Sequence, residues 1–158
     1  MFFLSRHKTV KIRTTRKDLI IPQQMEYGDM IDLRAAENVF IPEGEDRLIS
    51  LGVAMQLPKG YYAEVVPRSS LFKNFGLILV NSVGIIDETY CGNDDIWRFH
   101  AYCIKGHDFQ NNKKGTLVSI NDRLCQFRIV KKQPWISFEV VKKLTGENRG
   151  GIGSTGIK

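Results

Sequence analysis

Hydroxyls, a guanidinium and backbone amides meet in Pro67-Arg68-Ser69-Ser70-Leu71, a stretch that follows an apolar run and opens a short helical signal. That combination suits phosphate oxygens, because helix N-terminal amides and an arginine fork both donate to anions. A serine helix cap would use the same residues. Gly84-Ile85-Ile86-Asp87-Glu88-Thr89-Tyr90-Cys91-Gly92 sets Asp87 just past an apolar strand, in a hairpin that can hold a carboxylate rigidly as a general base. Acids are also ordinary turn residues. Asn121-Asp122-Arg123 marks a turn ahead of Gln126, and Gly153-Ser154-Thr155-Gly156 again offers amides and hydroxyls to an anion. Each cluster taken singly is a weak signal.

Such clusters need a frame that brings them together, and the rest of the sequence describes one. Period-2 alternation in Cys125-Gln126-Phe127-Arg128-Ile129 and in Ile136-Ser137-Phe138-Glu139-Val140 predicts half-buried strands, with Gln126 and Arg128 on the face opposite the core. Further strands are expected over residues 9–12, 30–34, 47–56, 61–66, 77–80, 96–104 and 116–120, separated by Gly, Pro, Asn and Asp clusters. The only helical candidate is a turn or two around 69–75. Short strands at this spacing predict an all-β sandwich or barrel and disfavour a βαβ Rossmann fold.

At 158 residues the chain is long enough for one domain with a real core. The excess of 23 Lys+Arg over 17 Asp+Glu gives a net charge of +6, which fits a nucleotide or nucleic-acid partner and equally a solvated basic surface. Met1 to Leu4 is too short an apolar run for a leader or a membrane span, so a cytoplasmic protein without membrane contact is expected. Cys91, Cys103 and Cys125 lack metal or disulfide spacing and read as buried thiols. Residues 1–144 read as the folded domain, and 145–158, with five glycines and few large apolar residues, as a tail that cannot order by itself.

In order, Asp32-Leu33-Arg34-Ala35-Ala36, Pro67 to Leu71, Gly84 to Gly92, Asn121 to Gln126 and Arg149 to Gly156 resemble the five motifs of the trimeric dUTPase family, in the branch of Gram-positive bacteria and their phages. The resemblance implies a distorted jelly-roll, a homotrimer with shared sites, and hydrolysis of dUTP to dUMP and pyrophosphate. Asp87 would be the base that activates water. Arg68, Ser69, Ser70 and Gln126 would grip phosphates, and Mg²⁺ would ride mainly on the phosphate oxygens. Asp32 would reach that metal through water or serve as a structural carboxylate near the trimer axis. Asn81, Gly84, Ile85 and Ile86 match the hairpin whose main chain reads uracil, and Tyr90 the ring beneath the deoxyribose. Arg149, Gly153, Ser154 and Thr155 match the arm that closes over the nucleotide from another subunit.

Two departures stand out. Only Gly150 and Gly151 separate Arg149 from Ile152, and Ile152 stands where the family carries an aromatic over the base. Trp97 and Arg98, on opposite faces of one strand, are the candidates to replace it. Arg98 is the expected cover and Trp97 a core or interface residue. The related dCTP deaminases need a glutamate after the hairpin, and Ile96 to Ala101 contains none. Phage members of the family also bind regulatory proteins, so a protein partner is compatible with the resemblance. Specific nucleic-acid binding is disfavoured, because no stacking aromatics interleave with the lysine pairs.

Overall fold

A computed structural model describes residues 8–109 and 113–150. Twelve strands and one short helix follow in chain order: β1 (Lys11–Thr14), β2 (Ile31–Arg34), β3 (Val39–Pro42), β4 (Asp46–Ser50), β5 (Val53–Gln56), β6 (Tyr61–Pro67), α1 (Leu71–Phe75), β7 (Leu77–Leu79), β8 (Gly84–Ile86), β9 (Arg98–Cys103), β10 (His107–Phe109), β11 (Lys113–Val118) and β12 (Arg123–Lys131). They form four antiparallel sheets, in the orders β1-β5, β10-β11-β3, β2-β12-β6-β8 and β4-β9-β7. The inward residues of these sheets share one core, centred on Leu33, Ile49, Leu51, Ala63, Val65, Trp97, Phe99 and Phe127. The fold is all-β and jelly-roll-like, as expected.

Alternation does most of the positioning. Along β12, Cys125 and Phe127 are buried while Arg128 is exposed, and along β9 Phe99, Ala101 and Cys103 face inward. The run expected over 47–56 is two strands, because Gly52 turns the chain at φ +65°. A Cβ there would stand 2.4 Å from that of Ala36, so both the dihedral and the space demand glycine.

Two expectations need correction. Residues 136–140 carry strand-like alternation but form no strand, and Phe138 and Val140 are almost wholly exposed. No edge of the described chain pairs with them. Cys91 is exposed, because it sits in the loop after the Asp87 turn instead of on a core-facing strand position; Cys103 and Cys125 are buried as expected.

Burial raises the pKa of both inner thiols, that of Cys125 most strongly. A thiol reagent at about pH 8 should therefore modify Cys91 alone in the native protein. Cys103 and Cys125 should react only after unfolding, as mass spectrometry of the labelled chain would reveal.

Candidate active site

The four-stranded sheet carries or adjoins Asp32, Arg68, Gly84, Ile85, Ile86, Asp87 and Gln126, and its register decides which of them meet. Gln126 pairs with Asp32 on one side and Val66 on the other. Directly paired residues share a face, so Asp32 and Gln126 project together, with Arg68 two residues beyond Val66. Arg68 Nε lies 2.9 Å from Asp32 Oδ1, and Arg123 Nη1 lies 3.3 Å from Asp32 Oδ2. One carboxylate thus holds two guanidiniums.

A register shift explains the presence of Arg123. The pairing of β12 with β2 slips between Arg123 and Cys125, leaving Leu124 as an extra residue with both Leu124 and Cys125 buried. Uninterrupted alternation would turn Arg123, two residues before buried Cys125, into the core. The bulge reverses that parity and returns it to the face of Gln126. Arg34 stands opposite Arg123 and donates from Nη1 to the carbonyl of Asn121 at 2.7 Å. Asn121 takes a left-handed φ of +70° and ties the preceding chain to this turn, its Oδ1 accepting the N–H of Ile20.

Arg34, Arg68 and Arg123 line one cleft with Gln126, against the carboxylates of Asp29 and Asp32. The excess of guanidinium charge suits an anion bearing several phosphates. Ser70 occupies the N-cap position of α1 but makes no side-chain cap bond, and Ser69 is exposed. Neither hydroxyl is therefore spent on the helix.

Asp87 lies elsewhere. β8 is an edge strand of the same sheet, paired with β6 only, in the register Ala63–Ile86, Glu64–Ile85 and Val65–Gly84. Asp87 therefore falls beside Tyr62, six residues from Arg68, or about 20 Å at ~3.3 Å per residue. It lines a second cleft with Ile85, Ile86, Thr89, Tyr90 and Arg98. The outer main-chain edge of Gly84, Ile85 and Ile86 has no ladder partner among the described residues. Asn81 braces the approach to β8, its Nδ2 lying 3.3 Å from the carbonyl of Val83.

Trp97 and Arg98 both border this cleft, but Trp97 is 1% exposed and meets Phe127 edge to face, with centroids 5.3 Å apart, whereas Arg98 is exposed. Arg149 is exposed, remote in sequence from both clefts; Gly153, Ser154 and Thr155 lie outside the described residues. Sequence reasoning missed Arg34 and Arg123 as cleft residues. Arg34 was legible, since it shares a strand face with Asp32 at i+2; Arg123 was not, because the bulge hides it. Among the described residues no group of three or more His, Cys, Asp or Glu side chains converges as a metal site. No helix among them is long and apolar enough to cross a membrane.

An all-β fold with an arginine-lined cleft and a separate carboxylate cleft defines a protein built for polyphosphate esters. Comparison with known proteins narrows the class: the dUTPase family model matches residues 17–156. The chain is 52% identical over 135 residues to the SPbeta prophage-derived deoxyuridine 5'-triphosphate nucleotidohydrolase YosS of Bacillus subtilis, covering 85% of this chain and 89% of that protein. It is 35% identical over 151 residues to the deoxyuridine 5'-triphosphate nucleotidohydrolase of Clostridioides difficile, covering 94% and 98%. A dUTPase of Staphylococcus bacteriophage 80alpha solved with dUpNHpp superposes with a TM-score of 0.75 at 18% identity, covering 96% of this chain and all of that one. A phage phi11 dUTPase described with a structural Mg(II) ion superposes at 0.70 and 18% identity, covering 86% and 98%. This chain belongs to the dUTPase family, and it is an enzyme of dUTP hydrolysis.

Trp97 fills core volume while Arg98 touches little, so their truncations should differ in kind. Trp97→Ala should cost about 3–5 kcal/mol of stability, seen as a large drop in denaturation midpoint. Arg98→Ala should unfold at the parental midpoint.

Proposed function

We propose that the enzyme cleaves dUTP to dUMP and pyrophosphate in sites shared between copies of the chain, with Asp87 as the general base. The observation that carries this reading is the ~20 Å of strand between Asp87 and Arg68. One triphosphate cannot engage both residues of a single chain, so the carboxylate cleft of one copy must face the arginine cleft of another. A homotrimer supplies that juxtaposition three times.

Asp87 is exposed at its cleft, where its carboxylate is open to a water molecule and to substrate. It accepts a proton from the water that attacks the α-phosphorus as pyrophosphate leaves. The free main-chain edge of Gly84, Ile85 and Ile86 offers donors and acceptors to the uracil rim, and Tyr90 bounds the sugar. A cytosine would strand some of those groups, which gives base discrimination its physical source. Arg68, Ser69, Ser70 and Gln126 hold the phosphates, joined by Arg34 and Arg123. Arg98 covers the base in place of the aromatic missing at Ile152.

The donor set fits a magnesium ion held by the substrate. Asp32 is the acid nearest the phosphate grip and is already committed to Arg68 and Arg123, so it would meet a hydrated ion through water. Mg²⁺ bound to the triphosphate would neutralise part of its charge. Residues 145–158 act as the closing arm, with Arg149, Gly153, Ser154 and Thr155 on the phosphates.

Asp87→Asn should keep the fold and bind dUpNHpp while losing about 10²- to 10⁴-fold in turnover; parental turnover would remove Asp87 from the mechanism. Mixing refolded Asp87→Asn and Arg68→Ala chains, each nearly inactive alone, should restore part of the activity. No recovery in mixed oligomers would show that each site uses one chain. Assays of dUTP, dCTP, dTTP and UTP should give pyrophosphate chiefly from dUTP, whereas ammonia from dCTP would indicate a deaminase. Arg98→Ala should raise KM for dUTP without changing the fold.

A further inference from the structure

Asp87 makes no side-chain hydrogen bond or ion pair among the described residues, so the aim of its carboxylate depends on the backbone that carries it. That backbone is a turn, closed by the N–H of Tyr90 donating to the carbonyl of Asp87 at 3.1 Å. The next residue, Glu88, is engaged at both carboxylate oxygens. Oε2 accepts the backbone N–H of Gly60, and Oε1 lies 2.9 Å from Nζ of Lys132. Those two partners are also joined to each other, the N–H of Lys132 donating to the carbonyl of Gly60 at 2.9 Å.

Three segments therefore close into one junction: the turn between β5 and β6, the end of β12 and the turn that bears Asp87. Each member suits its place. Gly60 adopts φ +80°, a left-handed conformation that glycine takes without strain and that presents its N–H to the carboxylate. Lys132 is the first residue beyond β12, where the chain leaves the sheet. The Lys132 ammonium and then the Gly60 N–H hold the Glu88 carboxyl below the usual glutamate range, so it stays charged throughout the neutral region.

We propose that Glu88 is a positioning residue for hydrolysis: by clamping the turn to Gly60 and Lys132, it fixes the direction of the Asp87 carboxylate. The proposal rests on the reading of Asp87 as the base. A general base works only within hydrogen-bond reach of its proton, and a misplacement of about 1 Å costs on the order of 10²-fold in rate. Nucleotide binding, which draws on the main chain of β8 and on another copy's arginines, depends far less on that angle.

The test compares the unaltered enzyme with three single variants and one double variant. Glu88→Ala removes both contacts, Glu88→Gln keeps an acceptor for Gly60 and loses the charge, and Lys132→Met removes the ion pair from the other side. The expected result is a kcat lowered by about 10- to 100-fold in Glu88→Ala and by less in Glu88→Gln, with KM and dUpNHpp affinity near parental. Lys132→Met should lower kcat about as much as Glu88→Gln, and combining those two should add little, because both break one contact. Parental kcat in Glu88→Ala, or a loss confined to KM or to melting temperature, would overturn the proposal. If Glu88→Ala fails to fold, Lys132→Met at a partly exposed lysine decides by the same split. Asp87→Asn run in parallel separates the two readings: an inactive Asp87→Asn beside fully active Glu88 and Lys132 variants rejects the clamp alone, and an active Asp87→Asn rejects the base.

Discussion

The pairing of β6 with β12 is the constraint on which the site depends. It runs in unbroken register from Cys125 opposite Pro67 to Lys131 opposite Tyr61. A central antiparallel ladder of that length cannot slip by one residue without turning its buried face to solvent. It therefore acts as a ruler. At one end stand Arg68, Gln126 and, through β2, Asp32; at the other stand Lys132, Gly60 and, through β8, Asp87. The separation of Arg68 from Asp87 along the backbone follows from strand length.

Charge is arranged to keep each end in its working form. Asp32 sits between Arg68 and Arg123, which would otherwise crowd Arg34 with like charge on one small face. The carboxylate lowers the cost of gathering the guanidiniums before any anion arrives, and the forks remain oriented. Further along the ruler, Glu64 takes a hydrogen bond from Tyr62 at 2.9 Å and an ion pair from Arg128 at 2.8 Å. Tyr62 and then Arg128 lower the Glu64 pKa. That stabilisation is complete above the ordinary glutamate range and fades as pH falls through the lowered value. Such partly exposed pairs contribute modestly. They link the middle of β6 to the middle of β12, between the two clefts.

How much of this was legible in the sequence follows from the kind of signal each feature leaves. Strands with one buried face announce themselves by alternation, as in Cys125 to Ile129, and the polar clusters at Arg68, Asp87 and Gln126 stood out against that frame. β3 shows no alternation because Val39-Phe40-Ile41 is apolar throughout and runs into Pro42, and β10 is three exposed residues with no buried face. Arg123 escaped because a bulge reverses parity without leaving a composition signal. Glu88 escaped for another reason: an acid in a turn looks like turn chemistry, and its partners lie 28 and 44 residues away. Only the fold brings Gly60, Glu88 and Lys132 to one point.

The segment after β12 carries the same lesson in reverse. Ile136, Phe138 and Val140 alternate with polar residues as a half-buried strand does, yet Trp135, Phe138 and Val140 stand 97%, 94% and 100% exposed. Burying each such side chain is worth about 1.5–3 kcal/mol, so their joint exposure in a folded chain is unfavourable unless another surface covers them. Pro134 withholds an N–H at the point of departure from β12, which discourages the segment from continuing along its own sheet. The alternation thus describes a strand for which the described residues of its own chain provide no partner. Under the proposed assembly, a second copy supplies that partner and also the arginine cleft that Asp87 cannot reach. The same association would then bury the apolar face of this segment and complete the site, so that folding of residues 133–144 and competence for hydrolysis depend on one contact.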